Sequence, residues 1–574
     1  MIRFVAFVFA LSMLSIDHVS AVESSESPVA SFTLDNGYGK PVSIADYADR
    51  RGIVVAFLGT ECPLARLYGP RLNEIQERFA DQGIAVIGIN SNTQDSMTEL
   101  LSYVHRHEIQ FPVLKDVGNR VADQFAATRT PEVFLLDADR VIRYRGRIDD
   151  QYGIGYARNE PTQNDLAIAI EQLLGDQPVE PARTDAVGCH IGRVKKSQSI
   201  GTVTFNKDVA PIFNARCVSC HREGEIAPFT LTSFDDTSGW EDTIAEVIDE
   251  DRMPPWPANP AHGEFSNDAR LTIKEKQIIH AWIDGGMPQG EPNDLPSPPV
   301  FTDGWSIPMP DQVIPMGTTA FKVPAEGVVD YQHFVVDPKW DTDKYIYAAQ
   351  ARPQNRAVVH HILVYLLPPG ATRPDLRRVL VGFAPGSLPI ALTDGVAIHV
   401  EAGTRLLFEM HYTPNGSAQS DLSDAGVCFM DAADVKKHWM GRLAINSKFR
   451  IPPGESHHET FAMYQSQEDE MLISLTPHMH LRGKSFRYDL RNPDGTTEVL
   501  LDVPRYDFNW QLKYVLKTPK RLPKGAVVEC KAVFDNSASN PSNPDPDREV
   551  GWGDQSYDEM MIGFMDTVPA DPQP

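Results

Sequence analysis

Gly52-Ile53-Val54-Val55-Ala56-Phe57-Leu58-Gly59-Thr60-Glu61-Cys62-Pro63-Leu64-Ala65-Arg66 joins an extended apolar run to a cysteine and then to a segment of helical character through Phe79. A short apolar run bounded by glycine reads as a buried strand. The strand therefore delivers Cys62 to a helix N-terminus, where unpaired amides and the helix dipole favour thiolate over thiol. A second strand, Ile84 to Asn90, alternates with helical stretches, and Thr130-Pro131-Glu132 precedes a third, Val133 to Leu136. Strands alternating with helices predict an α/β domain, here over residues 24–198.

These features resemble the thioredoxin-like redoxin family. The resemblance implies that Pro131 is a cis-proline facing the active cysteine. Two departures accompany it: Ala65 replaces the second cysteine of a CxxC pair, and Gly59 stands where a peroxiredoxin pattern has threonine three residues before its cysteine. The other thiol of the domain is Cys189, in Gly188-Cys189-His190. It is read either as a distant resolving partner or as one half of a structural disulfide with Cys62, since connectivity does not follow from sequence.

Upstream, Arg3 precedes the apolar run Phe4 to Leu14, and Val19-Ser20-Ala21 offers small residues for cleavage. This predicts a secretory signal peptide over residues 1–21. No later run approaches the roughly 18 to 20 apolar residues of a membrane span. The mature chain is expected to be exported, to the periplasm in a bacterium, with no membrane span after cleavage. Its 574 residues exceed a single core. A net charge of −25 with no compensating basic run argues against nucleic acid or an anionic membrane as partner and favours a cationic electron donor. Prolines crowd 288–315 and recur at Pro541, Pro544 and Pro546, marking linkers and loops.

Cys217-Val218-Ser219-Cys220-His221 places two thiols three apart on a helical turn with a histidine next, the arrangement that tethers haem covalently and ligates its iron. Zinc is the competing reading, but the second ligand pair of a closed tetrahedral site is missing. The segment resembles an all-α cytochrome c domain, over residues 202–295. The resemblance implies one haem c held by Cys217 and Cys220, with His221 proximal and Met253 distal. Met287 competes with Met253, whose flanking prolines stiffen its loop. Thr272 and Glu275 form a capping box for a helix with Ile278, Ile279, Trp282 and Ile283 on its apolar face, stopped by Gly285-Gly286.

Beyond the proline-rich linker, short strands broken by Pro, Gly and Asp predict β-sandwiches over residues 300–435 and 440–574. His478 and His480, two apart, project from one strand face at about 6 to 7 Å spacing. His360 and His361 are adjacent and can share a metal only at a bulge or a strand end. The ordered set Val359-His360-His361, Phe408-Glu409-Met410-His411-Tyr412, Pro477-His478-Met479-His480-Leu481-Arg482-Gly483 and Asp558-Glu559-Met560 resembles the copper type II, ascorbate-dependent monooxygenases, the family of peptidylglycine and dopamine hydroxylases.

That resemblance implies two jelly-roll domains facing across a solvent cleft, with one copper ion each. His360, His361 and His411 would hold an electron-transfer copper; His478, His480 and Met560 would hold the dioxygen-binding copper and form the catalytic set. Imidazole and thioether ligands suit copper. The implied reaction hydroxylates a C–H bond of a small molecule or peptide, with electrons from the haem, ascorbate or another one-electron donor. Thr476 and Phe564 replace the arginine and tyrosine that serve peptide carboxylates in the family, which disfavours such substrates. Met561 replaces an expected cysteine, so a Cys428–Cys530 pairing stays open. His262, His399 and the pair His457-His458 match no ligand position and are expected at the surface. Two alternatives lack oxygenase activity: a periplasmic copper-binding electron-transfer protein and a thiol-disulfide redox protein.

Overall fold

The strand Gly52–Phe57 lies inside a seven-stranded sheet, parallel to Ile84–Asn90 and antiparallel to Glu132–Asp137. This is a computed structural model, and it describes residues 27–194, 201–301, 304–325, 327–384 and 387–571. The expected signal peptide lies outside the described residues. Both faces of the sheet are covered, because Val54 and Ala56 enter one apolar cluster while Ile53, Val55 and Phe57 enter another. Double burial is why the strand reads as a continuous apolar run rather than an alternating one. Helix Pro63–Phe79 starts directly after it, with Cys62 as its N-cap.

A helical segment follows, with helices Ala210–Arg216, Phe234–Thr237, Glu241–Asp249 and Ile273–Asp284 around Phe205, Phe213, Trp240 and Trp282. The last helix has the capping box: Thr272 Oγ accepts from the Glu275 amide at 3.1 Å and the Glu275 carboxylate accepts from the Thr272 amide at 2.6 Å. The all-α cytochrome c domain expected over residues 202–295 is not evident as a separate unit, because the connection between the last two helices leaves it. Trp256, Ala258 and Phe265 leave the helices and enter the core of the C-terminal sandwich, Trp256 against Tyr514 at 4.9 Å.

The rest is all-β. In the first sandwich a sheet containing Lys344–Arg352 and Asp424–Phe429 faces one containing Arg405–Tyr412 and Val359–Leu367. In the second, Met440–Ile445, Ile562–Pro569, Glu470–His478 and Tyr514–Leu522 face His458–Gln465, Val527–Phe534, Gly483–Arg491 and Thr497–Val503. His458 opens a strand, whereas the pattern after Pro452-Pro453-Gly454 suggests a loop; His457 stays exposed beside Glu459. No helix among the described residues is long and apolar enough to cross a membrane.

Candidate functional site

The N-terminal domain brings together two thiols distant in sequence. The strand Cys189–His190 pairs with Arg129–Thr130, with Cys189 opposite Thr130 and the Thr130–Pro131 bond cis. The Cys62 thiol donates to the Thr130 carbonyl at 2.8 Å. Gly188 makes this approach possible. Its φ is 148°, and a Cβ there would lie 2.0 Å from the Thr130 oxygen. Gly59 has a comparable reason to lack a side chain, since a Cβ would sit 2.7 Å from Asn92 Nδ2 and 3.0 Å from Thr130 Oγ1.

Burial would push the Cys62 thiol up, but hydrogen bonds from the Cys189 thiol and amide and from the Ala65 amide outweigh it and hold the group at about 6. Cys189 moves the opposite way, raised well above the ordinary range by donating to Cys62 and by burial. The hydrogen bond shared by the pair therefore favours ionisation at Cys62 over Cys189. All six cysteines are free thiols in this structure. The open Cys428–Cys530 pairing is not realised: Cys428 packs on Trp305 and Ala348 in the first sandwich, Cys530 in the core of the second.

Cys189 belongs to two cores, packing against both the sheet domain and the helical segment. Next to it the Glu246 carboxylate accepts from Arg129 at 2.6 Å and pairs with His190 at 2.7 Å. Burial opposes ionisation of Glu246, yet these partners hold it at about 2. A charged network therefore ties the thiol pair to helix Glu241–Asp249.

In that helical segment the Cys220 and His221 amides both donate to the Cys217 carbonyl, so the two thiols share one turn. His221 Nδ1 lies 3.1 Å from the Phe229 carbonyl, which directs Nε2 outward as the remaining ligand atom. These donors fit a covalently tethered haem. Met287 packs on the same core as Cys217, and the Met253 amide donates to the Val247 carbonyl of that segment at 3.1 Å.

The sandwiches build two histidine clusters. In the first, His361 faces His411 across neighbouring strands, and a bulge between Val359 and His361 turns His360 to the same side. Nδ1 of His360 lies 3.2 Å from Nδ1 of His361 and 3.2 Å from Nδ1 of His411. Nitrogens about 2.0 Å from one metal ion at a tetrahedral angle sit about 3.3 Å apart. Burial lowers His360 to about 4, and burial with the neighbouring imidazoles takes His361 and His411 well below the ordinary range. All three are neutral and can offer lone pairs to one ion.

The second cluster is held by clamps from elsewhere in its sandwich. The rings of His478 and His480 are 5.2 Å apart and nearly perpendicular. His478 Nδ1 lies 2.7 Å from Gln511 Oε1, and His480 Nδ1 lies 3.2 Å from the Asp558 carbonyl. His480 Nε2 is buried with no hydrogen-bond partner. An orphaned imidazole nitrogen, with the other nitrogen anchored, fits a metal ligand. The Glu559 carboxyl accepts from the His480 amide at 2.9 Å and the Arg482 amide at 2.6 Å, and burial raises it to about 8. Fully buried Arg482 binds Asn536 and the Tyr557 carbonyl and so staples these loops beneath the histidines. Met560 follows Glu559 directly on the clamping segment.

The cleft implied between the clusters is partly filled by aromatic rings. The Tyr331 ring lies 4.8 Å from His411, 5.3 Å from His361 and 6.4 Å from His480, and Phe508 is 5.8 Å from His411 and 5.9 Å from His480. Beside this aromatic bridge a cavity of about 130 Å³ opens between the sandwiches, with His361 and His478 both in its wall. Sequence reasoning missed Tyr331, Phe508, Gln511 and Glu559 as parts of the site. Only Glu559, inside a quoted motif, had a local signal.

Known proteins match the N-terminal part. The AhpC/TSA family model covers residues 26–145. The N-terminal domain is a thioredoxin-like redoxin. The chain is similar to the thiol-disulfide oxidoreductase ResA of Bacillus thuringiensis, 24% identical over 108 residues, covering 19% of this chain and 61% of ResA. It is also similar to chloroplastic peroxiredoxin Q of Sedum lineare, 24% identical over 119 residues, covering 20% of this chain and 62% of that protein. The chain thus spans about three fifths of the length of these curated relatives. Among solved structures, a hypothetical protein from Sinorhizobium meliloti 1021 is 30% identical, with 30% of this chain and 94% of that chain covered and a TM-score of 0.28. A putative thiol:disulfide interchange protein DsbE from Chlorobium tepidum is 18% identical, with 21% and 81% covered and a TM-score of 0.19. The matched redoxin supports an oxidoreductase.

Proposed function

We propose that the protein is an exported copper-dependent monooxygenase that hydroxylates a C–H bond, with a haem c and the redoxin as accessory redox centres. The observation that carries this reading is the cavity walled by one histidine from each cluster, which puts a bound molecule next to both. Copper, when bound, would supply one-electron transfer and dioxygen binding. His360, His361 and His411 would hold one ion; His478, His480 and Met560 would hold the other. Gln511 and the Asp558 carbonyl anchor Nδ1 of the second pair of rings, which would leave each Nε2 free to hold an ion. Tyr331 and Phe508 would narrow the space beside the ions and leave the cavity for a bound molecule. Cys217, Cys220 and His221 would hold the haem, and Met287 or Met253 would complete its ligands.

The overall reaction takes one oxygen atom of dioxygen into product and the other into water, consuming two electrons and two protons. The electrons would come from the haem, from ascorbate or from a periplasmic donor. Metal analysis and the optical spectrum of the purified protein test the cofactors, with two coppers and one haem per chain expected. Met560→Ala tests the chemistry. Hydroxylated product should be lost while the three-histidine site keeps its copper, and full activity in this variant would refute the role.

A second reading rests on the thiol pair: the redoxin exchanges disulfides through Cys62 attack with Cys189 as resolving thiol. Cys62→Ser should abolish reduction of a disulfide substrate such as insulin, and activity unaffected by this change would exclude it.

A further inference from the structure

We propose that the cavity between the sandwiches binds a neutral, largely hydrocarbon molecule of about one-ring size and discriminates against carboxylates. What becomes of that molecule rests on the monooxygenase reading; what binds rests on the cavity alone. Its wall is made mostly of apolar side chains, among them Leu363, Val381, Phe383, Trp439, Leu443 and Phe564. Three cationic side chains reach it, and each is already neutralised. Arg377 binds the Asp375 carboxylate through two nitrogens, at 3.0 and 2.9 Å. Arg442 donates to Glu470 at 2.8 Å, and Lys513 to Asp566 at 2.9 Å.

Asp566 is satisfied from a second side as well, accepting from Ser474 at 2.5 Å. At Arg442 and Lys513 an incoming carboxylate would meet a carboxylate already in place, and at the solvent-exposed Arg377 its attraction would be screened by water, so the wall offers it no buried, unpaired cation. Thr476, the wall residue nearest in sequence to His478, brings no charge. The size agrees with a small ring, since an apolar cavity of about 150 Å³ is known to take benzene. Because His361 and His478 both line the space, such a molecule would present its C–H bonds to the histidines without a charged anchor.

The test uses full-length, copper-free protein with toluene and benzoate, which share a ring and differ in charge, followed by saturation-transfer NMR and competition titration. Toluene should bind, and benzoate should bind about tenfold more weakly or worse. Leu443→Trp, which fills the cavity, should remove the toluene signal. Thr476→Arg, which introduces a free cation, should raise benzoate affinity about tenfold while lowering that of toluene. Benzoate binding the unmodified protein as tightly as toluene would overturn the proposal, and so would toluene binding untouched by both substitutions. If the toluene preference holds but the copper-loaded protein forms no hydroxylated product, the oxygenase reading falls and the binding reading stands.

Discussion

The two histidine clusters gather their imidazoles by different construction. His360, His361 and His411 sit within one pair of adjacent strands, where ladder register and a single bulge set the geometry. His478 and His480 depend on groups far along the chain, namely Gln511, the Asp558 carbonyl and the Glu559 carboxyl. The first set is organised by sheet formation itself, so it needs few outside partners. The second is organised by loops that must be stapled in place, a task carried by buried Arg482. A site that depends on stapled loops is easier to disturb at a distance and easier to tune.

The largest expected break in this comparison is His361→Ala. On the copper reading it removes a ligand, so copper should fall from two ions per chain to one and affinity at that site should drop by more than about 100-fold, beyond the roughly 10- to 100-fold cost of losing an outer partner. Equilibrium metal titration checks this. Gln511→Leu should weaken copper only at the second cluster, by about 10- to 100-fold, leaving the first untouched. Equal losses at both clusters would mean that the aromatic bridge makes them one unit.

The smallest expected effect concerns the thiols. Ultraviolet absorbance of the Cys62 thiolate should titrate with a midpoint near 6, and Cys189→Ala should raise that midpoint by about one unit, through loss of a hydrogen bond to the charged form. The sign for stability follows. The folded value lies below the unfolded one, so this contribution is complete at pH above the unfolded value and is lost as pH falls through about 6. A midpoint unmoved by Cys189→Ala would leave helix N-terminal amides as the source of the thiolate.

Legibility tracked the range of the forces involved. Cys62 at the helix start and the capping box at Thr272 and Glu275 depend on neighbours a few residues away, and both stand where the pattern puts them. The bulge that lets His360 join His361 could be stated as a condition from strand periodicity, and the structure meets it. Loop stiffness around Met253 says nothing about which core a side chain enters, and it is Met287 that packs with Cys217. Trp256 shows the same limit: its segment packs on a sandwich whose partner Tyr514 lies far along the chain.

By itself the sequence determined the α/β start, the change to all-β architecture and where thiols, imidazoles and thioethers recur in close spacing, because residue type and short periodicity carry that information. Only the tertiary structure decided that Cys189 comes back to Cys62 through Gly188, that Tyr331 and Phe508 stand between the clusters, and that the cations around the cavity already have carboxylate partners. Each depends on the distance between groups separated by tens or hundreds of residues, and such distances are set by how the domains pack.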